Sequence, residues 1–260
     1  MKISAVIITF NEESNIRAAC ESVAWADDIL VVDSESTDQT REVAAACGAR
    51  VLINPWPGFA AQKQLATDSA THDWIFSRDA DERVSEELKA SIEALRSTNE
   101  SELADGYRVA RRTRYMDRWI QGGGWYPDYQ LRFFNRQKGN WGKRIIHESV
   151  VMDSGAWIEI LPGDLLHYTV RDPAQHQRMI EQRYAPLGAQ QMYRDGKRTS
   201  SLQAAVAGPV AFLRSFVLKG GFRDGVAGLT IAKFAARHAS LKHRLLLQLQ
   251  HDKTVSHGND

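Results

Sequence analysis

The most informative stretch of this 260-residue chain is Trp74-Ile75-Phe76-Ser77-Arg78-Asp79-Ala80-Asp81-Glu82. It reads as an apolar strand that runs directly into two aspartates spaced two residues apart. Alternate residues of a strand point to the same face, so we expect both carboxylates to face one spot where the strand ends. Mg²⁺ and Mn²⁺ favour such oxygen ligands and complete their shells with water and phosphate oxygens. The alternative interpretation is a solvated polar loop.

Short apolar runs and helical segments alternate on both sides of this stretch. The alternation predicts parallel strands joined by right-handed βαβ connections, and the continuous apolar strands indicate burial on both faces. We therefore expect an α/β fold: a doubly wound, mostly parallel sheet with a C-terminal helical extension. The predicted strands are Ile3–Thr9, Ile29–Val32, Val51–Ile53 and Trp74–Ser77, and the predicted helices are Asn15–Val23, Asp38–Cys47, Phe59–Ala70 and Glu86–Arg96.

From Gly106 on, the regular alternation of strands and helices gives way to predicted strands with looser connections. Asp172-Pro173 marks a helix start, and we expect helices to about Gln250, interrupted at Pro186, at Pro209 and at Gly220-Gly221. This organisation predicts boundaries at 1–104, 105–171, 172–250 and a disordered tail at 251–260. The predicted strands of the second part are Tyr107–Ala110, Gln130–Phe134, Glu148–Met152, Trp157–Leu161 and Leu165–Thr169.

Composition places the chain among ordinary globular proteins, with 43% hydrophobic and 25% charged residues. The N-terminal apolar run is short and β-branched, which favours a first strand over a signal peptide. No stretch reaches the roughly 18 uncharged apolar residues of a membrane-spanning helix. Cys20 and Cys47 are isolated, which indicates no disulfide framework and fits a cytoplasmic protein.

Charge is divided unevenly along the chain. Residues 1–104 hold 9 basic and 19 acidic side chains, whereas residues 105–250 hold 23 basic and 11 acidic ones. The basic part indicates an anionic partner, or charges that only solvate helices. Leu202–Gln250 mixes apolar and basic residues, which suits an anionic membrane interface as well as packing on the rest of the protein. The basic part, residues 105–250, contains no recognised nucleic-acid motif, so we expect no nucleic-acid partner.

Polar residues follow the first, second and fourth predicted strands, at the edge where open parallel sheets bind ligands. The sequence has no G-x-G-x-x-G after the first strand and no G-x-x-x-x-G-K-[ST], which argues against dinucleotide oxidoreductases and P-loop enzymes. A nucleotide could instead be bound by side chains. Asp33 would then accept hydrogen bonds from a base or ribose, and Asp81 would hold a metal that bridges a diphosphate.

Three motifs occur in order at these strand ends: Ala5-Val6-Ile7-Ile8-Thr9-Phe10-Asn11-Glu12-Glu13, Val31-Val32-Asp33-Ser34-Glu35-Ser36-Thr37-Asp38 and Asp79-Ala80-Asp81-Glu82. They resemble the successive motifs of glycosyltransferase family 2, the inverting enzymes of GT-A fold, over residues 1–104. The resemblance implies a nucleotide-sugar-binding half at 1–104 and an acceptor-binding half at 105–171. It implies that Asp33 contacts the uracil–ribose portion and that Asp81 binds Mg²⁺ or Mn²⁺. Further residues implied at the nucleotide are Thr9, Phe10, Asn11, Glu12, Gln62, Lys63 and Asp79.

A narrower similarity covers nearly the whole chain. The stretches Gly124–Phe134, Ile146-His147-Glu148 and Leu166-His167-Tyr168 resemble bacterial lipopolysaccharide-core β-1,4-glucosyltransferases that act on heptose. This implies a UDP-glucose donor, a lipopolysaccharide core acceptor and a peripheral position on the cytoplasmic face of the inner membrane. The residues assigned to the acceptor are Trp125, Tyr126, Arg132 and His147.

Inverting transfer requires a carboxylate base within hydrogen-bond reach of the attacking hydroxyl. We assign this role to Glu148, with Asp128 as the rival base; a surface His-Glu pair is the structural alternative. His167 is a candidate second metal ligand, or a hydrogen-bonded core histidine. Trp125 and Tyr126 suit stacking on a sugar face, or simple packing under a loop. Arg111, Arg112, Arg114 and Arg118 could contact acceptor phosphates, or form a solvated face.

Other functions remain open at this point. Another UDP-sugar or a lipid-linked acceptor is compatible with the same motifs. A sugar-phosphate nucleotidyltransferase would need a glycine-rich first loop, which Thr9–Glu13 lacks. A non-catalytic, membrane-peripheral nucleotide-sugar-binding module would not need the paired aspartates or a base.

Overall fold

The computed structural model describes residues 1–142, 148–168 and 173–256. The chain divides into two compact units, each made of two separate stretches: Met1–Arg112 with Asp128–Thr169 in unit 1, and Thr113–Pro127 with Val170–Asp260 in unit 2. The excursion 113–127 thus groups with the C-terminal helices rather than with the strands that flank it. The functional halves expected at 1–104 and 105–171 stay predictions.

Four parallel strands form one side of the sheet in unit 1, in the order β3-β2-β1-β4. Each early strand and helix lies within two residues of its predicted bounds. The prediction was this close because apolar runs mark the strands, and turn and cap residues mark where the elements end. The strands are β1 (Ile3–Thr9), β2 (Asp28–Asp33), β3 (Arg50–Ile53) and β4 (Trp74–Asp79), and the helices are α1 (Ile16–Glu21), α2 (Thr40–Ala46), α3 (Phe59–Asp68) and α4 (Glu86–Leu95).

The later strands extend this sheet from β4 and make it mixed. The order continues β4-β8-β6-β11-β5, with antiparallel pairing of β8 to both β4 and β6, and of β11 to β5. The expected α/β class is confirmed, but the sheet is mixed rather than mostly parallel, and its parallel part comprises β1 to β4. The added strands are β5 (Glu82–Val84), β6 (Gly106–Tyr115), β7 (Arg118–Trp119), β8 (Asp128–Asn135), β9 (Gly139–Trp141), β10 (Val150–Met152) and β11 (Ile158–His167).

One prediction about these strands is wrong. Trp157–Leu161 and Leu165–Thr169 were expected as two strands, yet β11 runs without interruption through Pro162 and Gly163. Gly163 has φ 92°, and a side chain there would collide with the backbone of Leu88 in α4. The Pro-Gly pair therefore marks a close approach of strand and helix rather than a break.

Apolar side chains of the parallel strands are buried on both faces of the sheet. In β1, Ile3 and Ile7 join the cluster that contains Ile16 of α1, whereas Val6 and Ile8 join the cluster that contains Ala66 of α3. This alternation confirms the predicted two-sided burial.

Arg78 is the unexpected member of β4, because it is fully buried. It lies on the same face as Phe76, toward α1, where it donates hydrogen bonds to the Ala19 carbonyl and to Ser22 Oγ at 2.9 Å. A third bond, of 3.1 Å, goes to the Glu82 carbonyl. Burial lowers the pKa of Arg78 to about 10, so it stays charged at neutral pH.

Unit 2 contains a predominantly helical run. Its elements are α5 (Pro173–Met179), a π-helical turn (Ile180–Tyr184), α6 (Ala185–Arg194), α7 (Ser201–Leu213), a second π-helical turn (Arg214–Leu218), a 3₁₀ turn (Gly221–Asp224) and α8 (Gly225–Ser256). A capping box of Ser200 and Gln203 starts α7.

The helix break predicted at Pro209 is wrong, whereas the one predicted at Pro186 coincides with the start of α6. Pro209 lies inside α7, and Pro186 lies in the first turn of α6, directly after the π-helical turn. A first-turn proline leaves no helical N–H bond unmade. The Gly220-Gly221 break is confirmed. α8 continues to Ser256, beyond the expected end at Gln250, so the helix enters the stretch predicted as a disordered tail.

Candidate active site

The carboxyl ends of β1, β2 and β4 lie side by side, as their parallel pairing requires. Thr9 is paired with Asp33, and Ile8 is paired with Asp79. The polar strand ends that the sequence singled out are therefore neighbours at one edge of the sheet, where open α/β sheets bind ligands.

Asp33 is fully buried and shapes the loop after β2. Its Oδ1 accepts a 2.8 Å bond from the backbone N–H of Ser36, and its Oδ2 accepts one from the Ser36 hydroxyl. The neighbouring Thr9 is also buried, and its Oγ1 has no hydrogen-bond partner among the residues described. A buried hydroxyl without a partner is costly unless a bound group satisfies it.

The loop after β1 is tied to the loop after β2. Asn11, with φ 52°, accepts a 2.8 Å bond from Thr37 N–H through its Oδ1, and the Glu12 N–H donates to Thr40 Oγ1 at 2.8 Å. Phe10, directly before Asn11, is 55% exposed. These bonds hold the polar ends of the loop and leave one aromatic ring uncovered at the sheet edge.

Gln62 on α3 connects two further loops. It is fully buried, accepts a bond from Asn54 Nδ2 at 2.8 Å and donates to Ser34 Oγ at 3.1 Å. Its place is therefore behind the loops of the predicted nucleotide site, which it positions.

Lys63, the next residue on α3, joins two carboxylates. Its Nζ lies 3.0 Å from Asp79 Oδ1 and 3.0 Å from Glu148 Oε1, and its side chain is 2% exposed. The ammonium also lies 5.1 Å from the ring centre of Trp141. A buried lysine needs such partners to remain charged.

Asp79 is held by a second cation, Arg132, whose Nη2 lies 3.1 Å from Asp79 Oδ2. Burial disfavours the carboxylate, but the charges of Lys63 and Arg132 outweigh it and hold the pKa of Asp79 far below its ordinary value. Asp79 is thus a permanently ionised, doubly paired residue.

The ion pairs continue beyond Arg132. Its Nη2 lies 3.0 Å from Glu82 Oε1, and Arg111 Nη1 lies 3.7 Å from the same oxygen. Arg111 in turn binds Asp128 Oδ2 through Nε at 3.0 Å and Nη2 at 2.7 Å. We call this the charge chain; its members alternate in sign and are Glu148, Lys63, Asp79, Arg132, Glu82, Arg111 and Asp128.

The two predicted bases lie at the two ends of the charge chain but differ in how they are held. Both Asp128 oxygens accept hydrogen bonds, Oδ2 from Arg111 and Oδ1 from Gln130 Nε2 at 2.7 Å. Glu148 is held through Oε1 by Lys63 and is 20% exposed. Both oxygens of Asp128 are thus engaged, whereas Lys63 engages only one oxygen of Glu148, and this difference favours Glu148 as the base.

Asp81 does not lie on β4, contrary to the prediction that it continues the strand two residues after Asp79. β4 ends at Asp79, and a turn at Ala80-Asp81 leads into β5. The alternation of strand residues stops before Asp81, and the two aspartates have different partners: Asp81 Oδ2 lies 3.4 Å from His167 Nε2. The expectation that both aspartates lie on a single strand is wrong, and the expectation that their carboxylates face one spot stays a prediction.

Asp81 and His167 form a mixed oxygen–nitrogen donor pair that suits a divalent cation such as Mn²⁺. Both side chains are partly exposed, at 18% and 12%. In the described ranges, no group of three or more His, Cys, Asp or Glu side chains could hold a metal. Two protein ligands are enough where water and phosphate oxygens complete the shell, so the residues present fit such an ion.

The residues predicted to bind the acceptor belong to both units. Arg132 is 4% exposed and belongs to the charge chain. Trp125 belongs to unit 2, where its ring packs 5.4 Å from Tyr115 and 5.5 Å from His176. Tyr126 precedes a cis proline peptide in the same unit. His147 lies outside the described residues, so its acceptor role stays a prediction.

Sequence reasoning missed Glu82 as a central member of the charge chain. It is fully buried, and its Oε2 accepts the Asp79 N–H at 2.9 Å. The signal available was its place directly after the aspartate motif. Its partners Arg111 and Arg132 come from β6 and β8, strands whose register the sequence did not define.

The model of "Glycosyl transferase family 2" matches residues 4–154 of this chain. A lipopolysaccharide core biosynthesis glycosyltransferase, LpsC of Rhizobium meliloti, is 31% identical, with 99% of this chain and 98% of the relative covered. An uncharacterized glycosyltransferase of Rickettsia typhi is 31% identical, with 87% and 80% covered.

Glucosyl-3-phosphoglycerate synthase of Mycobacterium tuberculosis, solved with Mn²⁺ and UDP, is 25% identical over 43% of this chain and 44% of that one, with a TM-score of 0.37. That score is too low to say anything of the ligands of this chain. The mixed sheet, its flanking helices and the C-terminal helical extension agree with the GT-A architecture expected from the motifs. With more than half of its length matched by the family model and a nearly full-length relative, the chain belongs to glycosyl transferase family 2.

Proposed function

We propose that this glycosyltransferase moves glucose from UDP-glucose, with inversion, to a heptose of the lipopolysaccharide inner core. The observation that supports it most is the Asp81–His167 pair beside the charge chain, at the edge where β1, β2 and β4 end. The acceptor class is supported by the core-biosynthesis relative from Rhizobium meliloti. We also propose a peripheral location on the cytoplasmic face of the inner membrane.

In this proposal Thr9, Phe10, Asn11, Glu12 and Asp33 surround the nucleotide. The buried Thr9 hydroxyl has no hydrogen-bond partner among the residues described, which supports the binding of a polar ligand group at the end of β1. Gln62 positions the loops, and Asp81 with His167 holds a Mg²⁺ or Mn²⁺ ion. When bound, such an ion neutralises the charge of a leaving diphosphate.

Glu148 then accepts the proton of the attacking acceptor hydroxyl. Lys63 fixes the carboxylate through Oε1, and the other oxygen is the proton acceptor. As the hydroxyl oxygen bonds to the anomeric carbon, the bond to the diphosphate breaks on the opposite face, which inverts the configuration. Asp128 is held by Arg111 and Gln130 and orients the acceptor side.

The test compares wild type with Glu148→Gln, using several UDP-sugars and purified core acceptors. We expect transfer from UDP-glucose, loss of transfer in Glu148→Gln, and UDP-sugar binding by calorimetry that is unchanged in the variant. Glu159→Gln, at an exposed position of β11, is the matched control and should behave as wild type. Chelation should abolish transfer, and Mn²⁺ should restore it.

Three results would contradict parts of this proposal. Unchanged turnover of Glu148→Gln would move the base to Asp128. Full activity after chelation would exclude a role for the metal ion in transfer. Transfer only from another UDP-sugar, or only to another lipid-linked acceptor, would replace the named substrates and keep the chemistry.

A further inference from the structure

α7 and the π-helical turn after it place small residues inside and large apolar residues outside. Ala204 and Gly208 are buried. A side-chain carbon added at Gly208 would collide with Ser240 Oγ of α8. α7 therefore packs on α8 through its small residues, which is the reverse of an ordinary surface helix.

The outward face carries large apolar side chains from its first turn to its end. Leu202 is 72% exposed, Val210 is 58% exposed and Leu218 is 80% exposed. Val206, Leu213 and Val217 are exposed as well, and the resulting spacing of three or four residues from Leu202 to Val217 keeps these side chains on one face of the helix. Exposed apolar residues continue into the 3₁₀ turn and the start of α8. We call this set the apolar ridge; its members are Leu202, Val206, Val210, Leu213, Val217, Leu218, Phe222 and Val226.

Within the segment that carries most of the ridge, every charged residue is a cation. Residues 196–223 contain no Asp or Glu. The first acidic residue after them, Asp224, is buried and accepts backbone N–H bonds from Gln121 and Gly122. The basic residues of the segment are all exposed, and they are Lys197, Arg198, Arg214, Lys219 and Arg223.

The positive sign of these charges indicates which kind of partner binds the apolar ridge. A second copy of the chain would bring five further cations against the same five, which opposes a two-fold contact through the ridge. A nucleic acid would leave the apolar centre without a partner. A bilayer surface with anionic lipids matches both features, since its headgroups attract the cations and its acyl boundary takes up the apolar side chains.

Ser201–Leu218 is the one run in the described chain that is long and apolar enough to cross a membrane, by length and composition only. Its packing favours a helix that lies along the surface. One side of it is seated on α8, and Arg214 lies within the run with its side chain exposed. A helix of this kind places its apolar face at the headgroup–acyl boundary and its cations at the phosphates.

We propose that the apolar ridge and its five cations form a docking surface for an anionic lipid bilayer, with α7 lying in the plane of the interface. This deepens the peripheral location stated under the proposed function and rests on it for the choice of membrane. It does not depend on the transfer chemistry.

The experiment is flotation of the purified full-length chain with two kinds of vesicle, phosphatidylethanolamine–phosphatidylglycerol and pure phosphatidylcholine. We expect wild type to bind the anionic vesicles. The triple variant Leu202→Gln/Val210→Gln/Leu218→Gln should lose at least about ten-fold in binding. It should keep its melting temperature, because all three positions are exposed. Val151→Gln/Ile160→Gln, on exposed strand positions of unit 1, is the matched control and should bind normally.

A second variant separates charge from apolar contact. Arg214→Gln/Lys219→Gln/Arg223→Gln should lose the preference for anionic vesicles and the sensitivity of binding to salt. Unchanged binding of the Leu202→Gln/Val210→Gln/Leu218→Gln variant would overturn the proposal, and so would failure of wild type to bind either vesicle. A dimer that this variant abolishes, seen by analytical ultracentrifugation, would assign the ridge to a second copy instead.

Activity toward a soluble, delipidated core oligosaccharide distinguishes this proposal from the proposed function. The ridge variant should transfer glucose to that acceptor at the wild-type rate. Vesicle binding without any transfer by wild type would refute the proposed function and leave the docking surface intact. Transfer without vesicle binding would do the reverse.

Discussion

At the scale of single residues, the contacts within the charge chain were the part of the site that the sequence predicted least well. The motifs placed Lys63 and Asp79 near the nucleotide and named Glu148 and Asp128 as rival bases. They did not indicate that Lys63 contacts Glu148, because 85 positions separate the two residues and only the fold brings them together. Pairing over such separations depends on strand register, which local patterns do not encode.

Lys63→Met tests whether Lys63 holds the base. Removing the cation leaves two carboxylates without their shared partner, so we expect a loss of about 1–3 kcal/mol in unfolding free energy, measured with denaturant. In a double-mutant cycle, Lys63→Met/Glu148→Gln should lose less than the sum of the single changes. Additive losses would mean that Lys63 and Glu148 do not interact. Lys138→Met, at an exposed position, is the control.

Thr9→Val tests the orphaned hydroxyl at the end of β1. The two side chains have nearly the same shape, so the stability of the free protein should be unchanged or slightly higher. UDP affinity should fall roughly five- to ten-fold if the hydroxyl binds the nucleotide. Ser77→Ala removes another buried hydroxyl without a partner, on β4, and should leave UDP affinity unchanged. Equal affinities in calorimetry for Thr9→Val and wild type would exclude Thr9 from the nucleotide site.

At the scale of elements, the parallel half was predicted closely because each strand is a continuous apolar run with a helix and turn signals on either side. The antiparallel half was less legible. β5, β7 and β9 have two or three residues each, too few to show periodicity. Proline was over-interpreted as a helix breaker, since α7 contains Pro209 without ending there.

Gly163→Ala tests the contact that keeps β11 continuous. Gly163 and Gly155 both have positive φ, 92° and 86°, so alanine should cost each about 1 kcal/mol of unfolding free energy. At Gly163 the new carbon would also collide with Leu88, whereas at Gly155 it meets nothing within 4 Å. We expect Gly163→Ala to cost about 1–3 kcal/mol more than Gly155→Ala in chemical denaturation. Equal costs would mean that α4 can move away from β11.

At the scale of the whole molecule, the class of fold, the helical C-terminal part and the uneven charge were all predictable from the sequence. The division into units was not, because the excursion 113–127 carries no compositional signal of its membership. Its Tyr115 and Ile120 cluster with Ala227 and Ile231 of α8. Such a contact between distant stretches becomes visible only in three dimensions.

Unit 2 should lose stability in mild acid. Burial, with the neighbouring charge of His238, lowers the pKa of His176 from 6.5 to about 4, and burial also lowers the pKa values of His238 and His243. Between about pH 6.5 and 4 the unfolded chain therefore binds more protons than the folded one, so stability falls as pH drops through this window and levels off below it.

We expect the melting temperature to be several degrees lower at pH 5 than at pH 7, measured by calorimetry. His176→Gln should reduce this difference, whereas His72→Gln, in unit 1, should not. A melting temperature that is equal at both pH values would mean that these histidines ionise as freely in the folded protein as in the unfolded chain.

The excursion 113–127 leaves and rejoins unit 1 at neighbouring points, since Arg111 and Asp128 are partners on β6 and β8. Anyone who shortens this gene to obtain the sheet alone must therefore make two cuts. A stop codon before α5 would remove the helices that cover Tyr115 and Ile120. These two side chains would then be exposed to water, which promotes aggregation. Replacing the excursion with a tight hairpin turn at the same time would give a minimal domain on which the proposed nucleotide-sugar binding can be tested by itself.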